Sequence, residues 1–259
     1  MSETTGADAR AGTSVGAAER VLIMNADDFG RSPGINEGVI RCHQEGIVSS
    51  ATLMVRWPAA EGAAEHARRS GTLGVGLHVD LGEWEYVDGE WREVYSVLAE
   101  ETATAAKAEV AAQVELFERL VGRPPDHLDS HQHVHRDEPA RGAVLAMARR
   151  LGVPVREATP GIRYSGAFFG QDGRGHPVPE AITTEALVAA VESLPAGVTE
   201  MACHPATRED HPSQYSAERL DEMRALCDPR VAQALAASGV VLATYAEVGT
   251  RLGQPGEDW

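Results

Sequence analysis

Val21-Leu-Ile-Met-Asn-Ala-Asp-Asp-Phe-Gly-Arg-Ser-Pro33 is the stretch that decides the fold class. Its first four residues are continuously apolar, as in a strand buried on both faces. Asn25, Asp27 and Asp28 end that run, and Gly30 supplies a turn. Ser32 then fits an N-cap and Pro33 a first helical position, which predicts a helix from Pro33 to Glu45 with Gly46 as its stop. A strand feeding a helix in this way is the first half of a parallel crossover unit.

The same alternation continues down the chain. Ser50–Val55, Gly74–Leu81, His127–His131, Pro154–Arg156, Val198–Cys203 and Val240–Tyr245 read as strands. Between them Ala59–Arg69, Thr102–Val121, Pro139–Leu151, Glu185–Ser193, Ala217–Cys227 and Pro229–Ala237 read as helices. The clearest is Thr102–Val121, where Ala106, Val110, Val114, Phe117 and Val121 form one apolar stripe. Residues 82–97 and the Gly/Pro-rich residues 157–182 give no clear element and are expected to be loops. Alternation predicts an α/β fold with right-handed crossovers. At 259 residues, with no Gly-x-Gly-x-x-Gly after the first strand, an irregular (β/α) barrel of about seven parallel strands is favoured over a dinucleotide-binding sheet. Residues 1–18 read as a disordered tail and 19–259 as one barrel domain.

Charge and cysteine usage narrow the function. Thirty-nine acids against 23 bases give a net charge of -16, the wrong sign for a nucleic-acid or anionic-membrane partner. Lys107 is the only lysine, so cationic contacts fall to arginine. Cys42, Cys203 and Cys227 form neither a disulfide framework nor a zinc knuckle. The chain start lacks the basic and apolar runs of a signal peptide, and no apolar window is long enough for a membrane span. A cytoplasmic location is expected.

Four strand ends carry the chemistry. Asp27 and Asp28 end the first, His78 lies near the end of the third, Asp129 and His131 follow the long helix, and His204 follows Cys203. Active sites of parallel α/β folds sit at the carboxyl ends of strands, so these groups should share one rim. Of the two aspartates, one can bind a metal while the other holds a proton. His127, Asp129, His131, His133 and His135 all occupy odd positions and would share one face of an extended segment. Imidazoles with a carboxylate suit a zinc-like or other divalent cation, some of them ligating and others orienting. His78 gains credibility as a third ligand beside Asp28 and His131. Cys203 points away from His204 on a strand, which argues against a thiol–imidazole dyad. Asp80, Trp84 and Trp91 are candidates for a substrate groove.

NADDFG with Ser32, Gly34 and Asn36, then GLHVDL, HLDSHQHVH and CHPA, occur in this order over residues 20–248 and resemble the YdjC-like carbohydrate deacetylase family. The resemblance implies an irregular (β/α) barrel and a divalent metal, magnesium or zinc, held by Asp28, His78 and His131. It places Asp27 as the base and His204 as the second catalytic group. The implied activity is metal-assisted removal of an acetyl group from an N-acetylated amino sugar or oligosaccharide, acting on a small carbohydrate, with a homodimer as the expected assembly. The competing readings are a phosphoesterase-like metal hydrolase and a metal- or sugar-binding protein without turnover.

Overall fold

The computed structural model describes residues 18–252, so residues 1–17 of the expected tail lie outside the described chain. A seven-stranded, wholly parallel sheet forms the centre. Its strands are β1 (Arg20–Phe29), β2 (Ser50–Leu53), β3 (Gly74–Val79), β6 (Leu128–Ser130), β7 (Ile162–Ser165), β8 (Gly197–Cys203) and β9 (Val240–Leu242). A separate antiparallel hairpin, β4 (Gly82–Val87) and β5 (Glu90–Ser96), stands apart from it. The helices are α1 (Pro33–Gln44), α2 (Ala60–Arg69), α3 (Ala103–Val121), α4 (Ala140–Leu151), α5 (Thr184–Glu192), α6 (Ala217–Leu226), α7 (Pro229–Ser238) and α8 (Tyr245–Leu252).

The strands run β6-β3-β2-β1-β8-β7. Arg20–Leu22 of β1 also pair with β9, while Asn25–Phe29 pair with β2, so those two strands share one edge of β1 at different heights. Beyond β6 a single bridge joins Leu128 to Val155. No ladder joins that segment to β7 among the described residues, so the sheet curls as an incomplete barrel. The expected irregular α/β barrel is therefore what the chain forms.

Alternation along β1 explains the layering. Leu22, Met24 and Ala26 join the main core with the helices. Val21 and Ile23 face the other way and pack with Ile162, Val198, Ala243 and Tyr245. Asn25 and Asp27 follow on that inner side, so the interior changes from apolar to polar toward the carboxyl rim. Helix ends follow their local chemistry. Ser32 accepts from the Ile35 N–H at the start of α1, and Thr102 from the Ala105 N–H at the start of α3. The stripe Ala106, Val110, Val114, Phe117 and Val121 is buried as its spacing predicts.

Five expectations need correction. Residues 82–97 are not a loop but the β4–β5 hairpin, whose polar and aromatic residues alternate without a buried face to mark them. Residues 157–182 contain β7 and a short turn of 3₁₀ helix at Pro179–Ile182. Pro154–Arg156 contributes one bridge, not a strand, and β9 stops at Leu242 because Tyr245 starts α8. The histidine-rich strand stops at Ser130. His131–Arg136 coils tightly, with Gln132 at φ 49° and His133 at φ 55°, so its odd-numbered side chains do not share a face.

Candidate metal centre and active site

Register brings the four strand ends level. His78 pairs directly with Asp129 across β3 and β6, and Ala26 with Cys203 across β1 and β8. Asp27, Asp28, His131 and His204 therefore emerge at the same rim. The β1–β2 ladder slips between Ala26 and Phe29, and Asp28 takes a left-handed φ of 62°. That irregularity lets two consecutive aspartates serve one site instead of opposite faces. Gly30, at φ 95°, completes the turn, where a Cβ would lie 2.8 Å from Leu53 Cδ1.

Asp28, His78 and His131 converge. Asp28 Oδ1 lies 3.2 Å from His131 Nδ1 and 3.5 Å from His78 Nε2. All three residues are buried, and no hydrogen-bond donor among the described residues is aligned on that oxygen. A cation about 2 Å from each donor would satisfy all three atoms, so the residues fit a divalent metal. Asp28 Oδ2 accepts from Arg219 Nη2. Burial alone would raise the Asp28 carboxyl, but Arg219 and His131 outweigh it and hold it well below the usual carboxylate range. Burial likewise opposes a charge on His131, yet Asp28 and Glu83 lift it to about 9.

The surrounding residues fix these donors. His78 Nδ1 lies 2.7 Å from Asp129 Oδ1, which leaves Nε2 facing Asp28. Thr52 Oγ1 donates to Asp129 Oδ2 at 2.9 Å. Arg31 reaches Glu83 from the hairpin and sits 3.3 Å from His131 Nε2.

Asp27 has a different environment. Arg156 donates to both its oxygens, at 2.6 and 2.7 Å, and Asn25 Nδ2 adds a third bond at 2.9 Å. Burial pushes the Asp27 carboxyl up, but the guanidinium dominates and keeps it far below the ordinary range. Arg156 also contacts Asp129 at 3.0 Å and Glu200 at 2.7 Å. Three buried carboxylates around one guanidinium leave excess negative charge. Burial raises the Glu200 carboxyl, whose Oε2 accepts from Tyr245 Oη, so Glu200 is the member best placed to hold a proton.

His204 faces this group from β8. Its Nε2 is 3.8 Å from Asp27 Oδ2, and its Nδ1 is 3.7 Å from Glu222 Oε1. The His204 backbone N–H and Tyr215 Oη both donate to Glu222. Phe169 and Tyr215 stand edge-on to the imidazole at 5.4 and 5.2 Å. Above lies a cavity of about 360 Å³ that Asp27, His78, His131, Trp84, Tyr164 and Phe169 help to line. Trp84 thus faces the cavity. Asp80 instead accepts from Trp57 Nε1 and Tyr95 Oη, and Trp91 is exposed at the hairpin.

The other histidines of the cluster go elsewhere. His127 Nε2 lies 3.1 Å from Asn25 Oδ1, and its ring stacks on Tyr245 at 3.9 Å. His133 and His135 turn toward Glu157. Sequence reasoning missed Arg156, Arg219, Glu222 and Arg31. The one legible signal was Arg156 itself, a charge closing the otherwise apolar run Val153-Pro-Val.

Residues 21–237 match the family model described as YdjC-like protein. The chain is 35% identical to a carbohydrate deacetylase of Geobacillus stearothermophilus, over 88% of this chain and 98% of that one. It is 33% identical to a chitooligosaccharide deacetylase of Serratia marcescens, over 89% of this chain and all of that one. Among solved structures, an Enterococcus faecalis V583 protein named as a candidate for cellobiose-phosphate cleavage superposes with a TM-score of 0.71 at 29% identity, covering 88% of this chain and 98% of that one. The chain belongs to the YdjC-like family.

Proposed function

We propose that the protein is a metal-dependent carbohydrate deacetylase that hydrolyses the N-acetyl group of an amino sugar or its oligomers. The observation that carries this reading is the buried Asp28 Oδ1, without an aligned donor, between two imidazole nitrogens at the floor of an aromatic-lined cavity. Deacetylase relatives that cover nearly their whole length support it. Asp28, His78 and His131 would hold the ion, and two nitrogens with one oxygen suit zinc or a similar transition ion better than magnesium. When bound, the ion supplies Lewis-acid polarisation of the acetyl carbonyl and acidification of water.

The chain's own groups divide the remaining work. Water adds to the acetyl carbon, and Asp27 accepts its proton. Arg156 keeps Asp27 ionised and fixes its direction, at the cost of making it a weak base. The C–N bond breaks as His204 delivers a proton to the departing nitrogen, since an amine leaves poorly unless protonated. Glu222, through the His204 backbone N–H, fixes the chain at this residue, and the two aromatic rings flank its imidazole at the cavity. Trp84 and Phe169 offer apolar faces to a sugar ring.

A phosphoester would need free cationic groups. Arg31, Arg219 and Arg136 at this cavity are all engaged with acidic side chains, which disfavours that reading. We place residues 19–252 of the expected 19–259 domain in one unit, since a single sheet collects every group of the site, and residues 253–259 lie outside the described chain. Cytoplasmic placement and a homodimer belong to the same proposal. No helix among the described residues is long and apolar enough to cross a membrane. The test is acetate release from N-acetylglucosamine oligomers by metal-stripped protein to which single divalent ions are returned. Zinc-class ions should restore release. Full activity after stripping, with no ion returned, would remove the metal from the account.

A further inference from the structure

A second group of donors stands beside the cavity, outside the Asp28 centre. We propose that His133, His135 and Glu157 form a second divalent-cation site, of the zinc class, at the cavity rim.

His133 Nδ1 lies 2.9 Å and His135 Nε2 3.7 Å from the same atom, Glu157 Oε2, and the three donors all fall within 4.8 Å of one another. Donors about 2.1 Å from a tetrahedral ion sit roughly 3.4 Å apart, so small side-chain adjustments close the set. Two imidazoles and one carboxylate are the ligands of open zinc sites, with a fourth position left for water or substrate. His133 also lines the cavity, which places the set at its edge.

A separate observation points to a ligand. His135 is 2% exposed, and its buried Nε2 has no hydrogen-bond partner among the described residues. Its other nitrogen lies 2.6 Å from Ser130 Oγ, which fixes the ring with Nε2 aimed at Glu157. A proton on Nε2 would find the carboxylate too distant for a hydrogen bond. A lone pair there would face an anionic oxygen. A cation between the two resolves both cases.

Arg136 Nε donates to the same oxygen, Glu157 Oε2, at 2.7 Å and its Nη2 to Oε1 at 2.6 Å, so the ion would share Oε2 with the guanidinium. An ion would replace the His133–Glu157 contact while Arg136 continued to orient the carboxylate, as outer partners of ligating carboxylates do.

The test is tight-ion stoichiometry, read by elemental analysis after zinc loading and desalting of the untagged full chain. Wild type should hold two ions per chain. Glu157→Gln and Glu157→Gly should each hold one, and Asp28→Asn should hold one. Glu157 has φ 59°, a conformation glycine adopts freely, so Glu157→Gly removes the ligand without backbone strain. Thermal unfolding confirms that each variant is folded. One ion in wild type that Asp28→Asn abolishes would overturn the second site and leave the first standing. One ion that Glu157→Gly abolishes would instead overturn the Asp28 centre. Two ions retained by both Glu157 variants would overturn the assignment of these ligands.

Discussion

Arg156 grips Asp27 through both terminal nitrogens, at 2.6 and 2.7 Å, and the guanidinium has no exposure to solvent. The same side chain balances Asp129 and Glu200, so it supports both Asp129, which holds His78, and Asp27, which lines the cavity. Removing it should therefore damage fold and chemistry together. Arg156→Met strands three buried carboxyl groups and should cost about 3–5 kcal/mol of stability. Arg156→Lys keeps the charge but loses the planar fork, so it should lose turnover more than stability. Denaturant unfolding and kcat of both variants check this. Wild-type stability in Arg156→Met would contradict the network's role.

Asp27→Asn separates proton transfer from metal binding. The amide keeps the shape but cannot accept the proton, so kcat should fall roughly 10²–10⁴-fold while the Asp28 ion remains. Arg156 keeps Asp129 and Glu200 as partners in this variant, which limits the loss of stability. Loss of the ion in Asp27→Asn, with retention in Asp28→Asn, would reverse the two assignments.

His204→Ala should slow hydrolysis of the amide far more than that of an acetyl ester whose leaving group departs unprotonated. The contrast isolates the acid role, because both substrates use the same carbonyl chemistry. Equal losses on the two substrates would assign His204 to positioning alone.

Much of this site was legible because strand ends in parallel α/β folds share a rim, so Asp27, Asp28, His78, His131 and His204 could be grouped without coordinates. The division of the histidine cluster was not. Period-two reasoning holds only while a segment stays extended, and left-handed turns at Gln132 and His133 break it. His133 and His135 are thereby sent to Glu157, 20 or more residues away in sequence. The arginines were invisible for another reason. Arg156, Arg219 and Arg31 are recognised by the acids they meet across the fold, and each has a long-range pairing, with Asp27, Asp28 and Glu83. The hairpin escaped because neither strand presents a continuous buried face.

His211 sets an acid limit on stability. Burial, reinforced by the Arg31 guanidinium, pushes its imidazole down to about 4, and its Nε2 accepts from Arg31 Nε at 2.7 Å. Below pH 6.5 the unfolded chain takes up a proton that the folded chain refuses, so stability falls as pH drops from about 6.5 to about 4. His211→Gln keeps an acceptor but does not titrate. Unfolding measured across this range should show a shallower decline for the variant. Identical slopes would remove His211 from the acid response.

The most direct test of the central claim is product analysis of N-acetylglucosamine oligomers incubated with the metal-loaded protein. The account predicts one free amine for each acetate released, with the sugar chain length unchanged, and loss of both products in Asp28→Asn. Cleaved sugar–sugar bonds, released phosphate from a phosphorylated substrate without acetate, or no product from any acetylated sugar would contradict it.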